Sequence, residues 1–482
     1  MFHQTANAIG RYFFRRALRF CLFLLLHPYL AASQTLTCSV EWNPAIQVSF
    51  DSVLSNGPQV AVSGDTVHLV WYGFDTLGTA GRDGIQYARS ADGGVSFSEQ
   101  ETLLPLESAL SPAVVASAGN FVYVAALAFV DTFLGTIVLR SSDGGITWQP
   151  PRTLLRGTRP EVIVAGDSSV YIHFRTLIGR RAGLFASTNT GLSWDTIAST
   201  IPHLSSLVLR GNQFHGVGIV ATDFGTEVGY FSSTTPGRSW FGPEILSKED
   251  TIPSLRPRIA ANERGKLFVV WGEGGRLFIR RSINNGYSWR PEQLLSADTS
   301  AVFSEIAAGD DFVSVIWDND FGGSGGISFR SSNDVGTSFC PLASPTAGTN
   351  VGEPAVAILG DRVHVTWTES IAGNVEILYR RGLLTENPNS LEKPPTSFAL
   401  HQNYPNPFNG ATHIRYDIPE PMAVELVVYN LLGEIIATLV NEVQSPDRYD
   451  FVFDSGNYPS GVYFFRLRTR SFTEVRKLLI VR

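Results

Sequence analysis

Six copies of one eight-residue pattern constrain this chain more than any other feature. The pattern is S-x-[DNT]-x-G-x-[ST]-[FW], and it begins at Ser90, Ser141, Ser187, Ser233, Ser282 and Ser332, in steps of 51, 46, 46, 49 and 50 residues. Self-similarity at such a period marks a repeat architecture, in which each unit buries its apolar face only against its neighbours. The fullest copies are Ser90-Ala-Asp92-Gly-Gly94-Val-Ser96-Phe97 and Ser141-Ser-Asp143-Gly-Gly145-Ile-Thr147-Trp148.

The residue types have a physical logic. A short Asp or Asn side chain bonds backbone N–H groups a little further on and closes a turn. Glycine at the fifth position suits a positive φ, and the aromatic enters the next strand. Asp92, Asp143, Asn189, Asn284 and Asp334 are therefore expected to be structural, because turn closure alone explains them.

Further strand signals surround each turn. Short segments such as Pro58-Gln-Val-Ala-Val62, Pro160-Glu-Val-Ile-Val164 and Pro257-Arg-Ile-Ala-Ala261 come first. Apolar runs such as Val67-His-Leu-Val-Trp71 and Leu267-Phe-Val-Val-Trp271 follow. A third strand leads into the turn, and a fourth leaves it, as in Trp289 to Ser296. Four short strands per period of roughly 50 residues make a propeller blade. A seventh copy begins at Pro354 and stops at Arg381 without the turn or a fourth strand. Trp42-Asn-Pro-Ala-Ile-Gln-Val-Ser49 matches Trp289 to Ser296 in length, with Trp, Pro and Ser at the same offsets. The N-terminal strand is thus expected to complete the last blade and close the ring. All nine tryptophans fall on two repeat positions, which predicts core packing for each.

The rest of the chain fits an all-β reading. Gly numbers 45, aromatic residues make up 11% and charged residues 17%, which suits many short strands on tight turns. A net charge of −7 argues against nucleic acid as a partner, because phosphate binding needs a basic footprint. Residues 1–33 read as a signal peptide: Arg11, Arg15, Arg16 and Arg19 precede the apolar run Phe20 to Leu26, and Ala31-Ala32-Ser33 offers small residues for cleavage. That run is too short to span a bilayer, so no transmembrane segment is expected after cleavage. The mature chain keeps Cys38 and Cys340. Both lie near the seam of the ring, in an oxidising compartment, and a disulfide between them would latch the closure; two unpaired thiols are the alternative.

The boxes resemble the Asp-boxes of the sialidase and BNR-repeat superfamily over about residues 42–381. The resemblance implies a propeller, and its sialidases have six blades where the repeat count here gives seven; both counts stand as expectations. It also implies what an active site would need. Those enzymes carry a Phe-Arg-Ile-Pro motif, three arginines that clamp a carboxylate, a Tyr–Glu nucleophile pair and an Asp acid/base. No Phe-Arg-Ile-Pro occurs in this chain; Arg159-Pro160 and Leu255-Arg-Pro-Arg-Ile259 come nearest. Arg159, Arg256 and Arg258, with Glu161, Glu305 and Glu353, are the candidates for a degenerate site in the central channel, and a solvated charged rim is the alternative. No metal-ligand constellation, phosphate loop or nucleophile elbow is visible, and no cofactor is expected.

From Gly382 to Ser397 the chain reads as a linker, rich in Pro and Asn, and residues 398–482 read as a small Ig-like antiparallel sandwich. Gln402-Asn-Tyr-Pro-Asn-Pro-Phe-Asn409, Val428-Tyr-Asn-Leu-Leu-Gly-Glu434, Ser460-Gly-Val-Tyr-Phe-Phe-Arg466 and the basic end Lys477 to Arg482 resemble the type A sorting domain of type IX secretion. This resemblance implies a partner, the type IX machinery, and a destination outside the cell or on its outer surface, reached through the periplasm. The expected function is a displayed propeller over residues 34–381 that binds a glycan or surface protein without chemistry; the alternative is a sialidase-like glycoside hydrolase with a divergent site.

Overall fold

The computed structural model describes residues 39–481, apart from short segments of which 76–83, 106–112, 297–302, 320–325 and 386–394 are the longest. The signal peptide, Cys38 and most of the linker lie outside the described residues. Described residues form strands and turns, with no helix among them.

Seven antiparallel sheets follow one another from Val40 to Leu384. The first holds Val53–Ser63, Thr66–Asp75, Gly84–Ser90 and Glu101–Pro105 in that order, and the next four repeat the plan. The seventh takes Val351–Leu359, Arg362–Ile371 and Asn374–Leu384 from one end of the chain and Val40–Trp42 and Ile46–Gln47 from the other. Val40 pairs with Leu384, so this last strand runs three residues past the expected limit of Arg381. First strands touch in chain order, and Val351–Leu359 touches Val53–Ser63, which closes a ring.

The core is divided accordingly. Each seam between consecutive sheets has its own apolar cluster. The closing seam packs Val67, Leu69 and Trp71 of the first sheet against Ile377 and Tyr379 of the seventh. Trp71, Trp271, Trp317 and Trp367 lie on second strands and are fully buried. The other five tryptophans are half-buried and pack against the seam clusters from their edges. Three of them cover an aromatic of the preceding sheet: Trp148 lies edge-on to Tyr87, Trp289 to Tyr230 and Trp42 to Phe329, at 5.0, 5.0 and 5.1 Å.

The box turns show why their glycines are there. In the copy at Ser141, the Ser141 hydroxyl donates to Asp143 Oδ1 at 2.8 Å and accepts the Gly145 N–H at 2.9 Å. Asp143 also accepts the N–H groups of Ile146 and Thr147 and the Thr147 hydroxyl. Gly145 has a φ of 78°, and a Cβ there would lie 1.8 Å from the Tyr87 hydroxyl of the preceding sheet. Gly94 meets Tyr379 and Gly286 meets Tyr230 in the same way. The turn thus demands glycine twice, for its backbone and for the approach of the neighbouring sheet.

The sixth sheet departs from the expected four strands. It has three, Phe303–Ala308, Val313–Asp318 and Ile327–Ser332, and a single bridge from Phe329 to Ala343 in place of the fourth. Pro341 and Pro345 flank that bridge and donate no ladder hydrogen bond. Cys340, just before them, is disulfide-bonded.

Beyond the ring, two antiparallel sheets enclose one core. Ala399–Leu400, Ala411–Ile418 and Asp447–Asp454 form the first. Ile435–Gln444, Met422–Tyr429, Gly461–Arg468 and Thr473–Ile480 form the second, in that order. Ile414, Tyr416, Leu426, Phe465 and Leu478 fill the space between them. Ile435–Gln444 was not among the strands expected from sequence; it is an edge strand whose exposed and buried positions do not alternate.

Candidate functional site

Every sheet has two ends. One carries the turns from first to second strand and the boxes, bonded to each other: the Gly93 N–H donates to the Asp65 carbonyl and the Gly144 N–H to the Asn120 carbonyl. First strands begin at the other end, and all six candidate residues lie there.

Their approach is set by bulges. The first strands of sheets one, three, five and seven break register between Asn56 and Gln59, Pro160 and Val162, Leu255 and Arg258, and Gly352 and Ala355. A bulge bends the strand and re-aims a side chain. In sheet one the bulge uses Gly57, with a φ of 59°. In sheets five and seven the same place holds Arg256 and Glu353, each with a φ of 50°. Two large residues keep a conformation natural to glycine, at a cost of roughly 1–2 kcal/mol each.

The charged groups form a network across sheets. Arg258 Nε donates to Glu305 Oε1 at 2.8 Å, joining sheets five and six. Glu305, more than burial opposes it, raises the Arg258 pKa further, and Glu161 adds to the effect from sheet three. Glu161 itself stands 2.9 Å from Arg159 and 3.2 Å from Arg175. The Arg256 guanidinium sits over Phe303, 3.5 Å from the ring centroid, and burial, with Arg258 nearby, lowers its pKa. Glu353 is apart from this group: its carboxylate accepts the Gly57 N–H at 2.7 Å across the closing seam.

Five of the six candidates thus gather around sheets three, five and six, and Glu353 serves the bulge of sheet one instead. Arg175 belongs to the group although the sequence reading passed over it. It faces Arg159 across the hairpin, and pairing the strands on either side of the turn at Ser168 would have found it. The large buried tyrosines lie elsewhere. Tyr87, Tyr230 and Tyr379 sit at the box end, where each hydroxyl meets a histidine Nδ1, of His68, His215 or His364, at 2.8, 2.6 and 2.7 Å. Burial raises the pKa of all three tyrosines and lowers that of the three histidines to about 4, 3 and 4. Among the described residues no three His, Cys, Asp or Glu side chains form a group that could hold a metal ion, and no helix is long and apolar enough to cross a membrane.

Comparison with known proteins gives two results of different weight. Among solved structures, the chain resembles a protein of unknown function from Dyadobacter fermentans, at 14% identity and a TM-score of 0.44, over 72% of this chain and 99% of that one. It resembles the Hadza microbial sialidase Hz136 at 12% identity and a TM-score of 0.40, over 69% and 66%. Trypanosoma rangeli sialidase, in complex with 2,3-difluorosialic acid, follows at 10% identity and a TM-score of 0.42, over 92% and 90%. Likenesses of this size assign neither substrate nor chemistry. No curated protein matches the chain. The end of the chain is placed firmly: residues 402–481 match the secretion system C-terminal sorting domain, the address for export to the cell surface or the extracellular space.

Proposed function

We propose that residues 40–384 are a seven-bladed Asp-box propeller, exported by type IX secretion, that binds a glycan or a protein at the end opposite the boxes and performs no chemistry there. One observation carries the non-catalytic reading. Arg258 and Arg159 are engaged by Glu305 and Glu161, the carboxylates that a hydrolase at this place would have to use. A carboxylate oxygen bonded to a guanidinium is turned away from a leaving group, which a general acid has to reach within hydrogen-bond distance. Support for ligand binding comes from the strained Arg256 and Glu353, since such backbone persists where the surroundings impose it, often at functional sites.

The second reading, a sialidase-like hydrolase with a divergent site, draws on Arg159, Arg175 and Arg258 gathering around Glu161. One experiment separates the two. The exported protein is incubated with sialyl-oligosaccharides and a panel of aryl glycosides, and applied in parallel to glycan and protein arrays. Retained ligand with no released sugar supports binding alone. Release of sialic acid or another sugar, lost in Glu161→Gln or Glu305→Gln, would replace that reading with the hydrolase.

A further inference from the structure

We infer that the turn Asn430–Glu434 of the sorting domain is a preformed apolar finger that docks into an apolar pocket on the secretion machinery. Leu431 and Leu432 are 70% and 83% exposed, and Ile435, at the root of the turn, is 57% exposed. Neither leucine packs on the core between the two sheets. A large side chain left this far in water loses the stabilisation that burial would bring, and adjacent exposed leucines mark an interaction site more than a surface accident.

The turn that carries them is stiff. Asn430 Oδ1 accepts the N–H groups of Leu432 and Glu434 at 2.9 and 3.0 Å, and its Nδ2 donates to Glu434 Oε2 at 2.6 Å. The Asn430 N–H reaches the Glu434 carbonyl at 3.0 Å, the Gly433 N–H reaches the Asn430 carbonyl at 3.1 Å, and Gly433 supplies the positive φ of 81°. A loop fixed before binding has little conformational entropy left to lose, so apolar contact at its tip converts to affinity efficiently. The occupant follows from where the finger lies. It sits inside residues 402–481, the segment that matches the sorting domain, and beside the edge strand Ile435–Gln444, at a corner of the domain turned to solvent. A segment whose task is to be recognised here presents two adjacent exposed leucines on a constrained turn. This inference is independent of what the propeller binds.

The test is export of the full chain from a bacterium that has this secretion system. Leu431→Ser/Leu432→Ser is compared with wild type, with Leu431→Met/Leu432→Met, and with Val443→Ser, which removes another exposed apolar residue, 74% exposed, from the far end of the same strand. The serine variant is expected to lower the exported share about ten-fold and to accumulate inside the outer membrane, because a loss of about 1.4 kcal/mol of docking energy is a factor of ten. Methionine variants and Val443→Ser are expected to export as wild type does, and melting curves of the purified chains are expected to coincide. Wild-type export of the serine variant would overturn the proposal. So would an equal loss in Val443→Ser, or a wild-type dimer in sedimentation that the serine variant reduces to monomers, which would make a second copy the occupant.

Discussion

The hydroxyl of Tyr230 rests against the backbone of Gly286 in the next sheet, so close that a Cβ on Gly286 would stand 1.9 Å from it. The same glycine has a φ of 83°, and the Tyr230 hydroxyl is tied to His215 at 2.6 Å. Local turn and neighbouring sheet are thus locked by one residue. Gly286→Ala is expected to destabilise the ring by about 3 kcal/mol or more, through overpacking added to backbone strain. Gly64→Ala, at a φ of 57° with nothing near the new methyl, is expected to cost only about 1 kcal/mol. Urea unfolding of the two variants measures the difference.

Stability should fall in mild acid. Folded His215 stays neutral down to a pKa of about 3, and His68 and His364 down to about 4, because burial opposes their charge. Unfolded histidine takes up its proton near 6.5. Between these values the unfolded chain binds more protons, so stability is full above about pH 6.5 and drains as pH falls toward 4. The loss is expected to reach up to about 2 kcal/mol per histidine by pH 4.5. His215→Gln should flatten the dependence of the urea midpoint on pH over that range.

Asn stands naturally in two boxes, where Asn189 and Asn284 donate to Ser193 and Ser288 at 2.8 and 2.9 Å. Asp143→Asn is therefore expected to keep the melting temperature, with the Thr147 hydroxyl turned to accept, while Asp143→Ala lowers it. The hydrogen bonds from Thr147 and Ser141 hold the Asp143 carboxyl well below the usual carboxylate range. Its contribution is complete above the unfolded carboxylate pKa and is lost only in strong acid, so Asp143→Asn should differ from wild type mainly below about pH 4.

Arg256 should show the trade between stability and function. With a φ of 50°, Arg256→Gly is expected to be more stable than Arg256→Ala by about 1 kcal/mol, the reverse of the usual order, because only glycine relaxes at that place. Both substitutions should weaken binding by the proposed ligand face alike, since both remove the guanidinium over Phe303. Thermal unfolding and array binding read the two effects separately.

The disulfide at Cys340 is proposed to join Cys38 and tie the N-terminal strand of the seventh sheet to the sixth. Peptide mapping without reductant should yield that pair. Cys340→Ser should then cost roughly 3–5 kcal/mol, because the lost link closes a loop of most of the ring. Reduced wild type should melt like the variant.

Much of this architecture was legible in the residues, for reasons of short range. A turn that closes on its own Asp or Asn, a glycine with positive φ and alternating strand segments are local chemistry, and their repetition located the six box turns and the strands around them. The edge strand Ile435–Gln444 escaped because one face of an edge strand need not be apolar, and the sixth sheet lost its fourth strand to two prolines that interrupt the ladder. Half-burial of Trp148 and Trp289 was not legible either, since their cover is an aromatic one repeat away in the chain.

By itself the sequence determined the β-class, the repeat length, the identity of the box residues and the sorting segment at the end of the chain. Only the tertiary structure decided that Arg258 meets Glu305, that Arg175 joins Arg159 on Glu161, and that Glu353 turns to the bulge of the first sheet. Those pairings span from 14 to 296 residues of chain or cross the closing seam. Composition and spacing act within a strand and its turn, whereas the partner of a charge in a closed ring is fixed by which sheets the closure brings side by side.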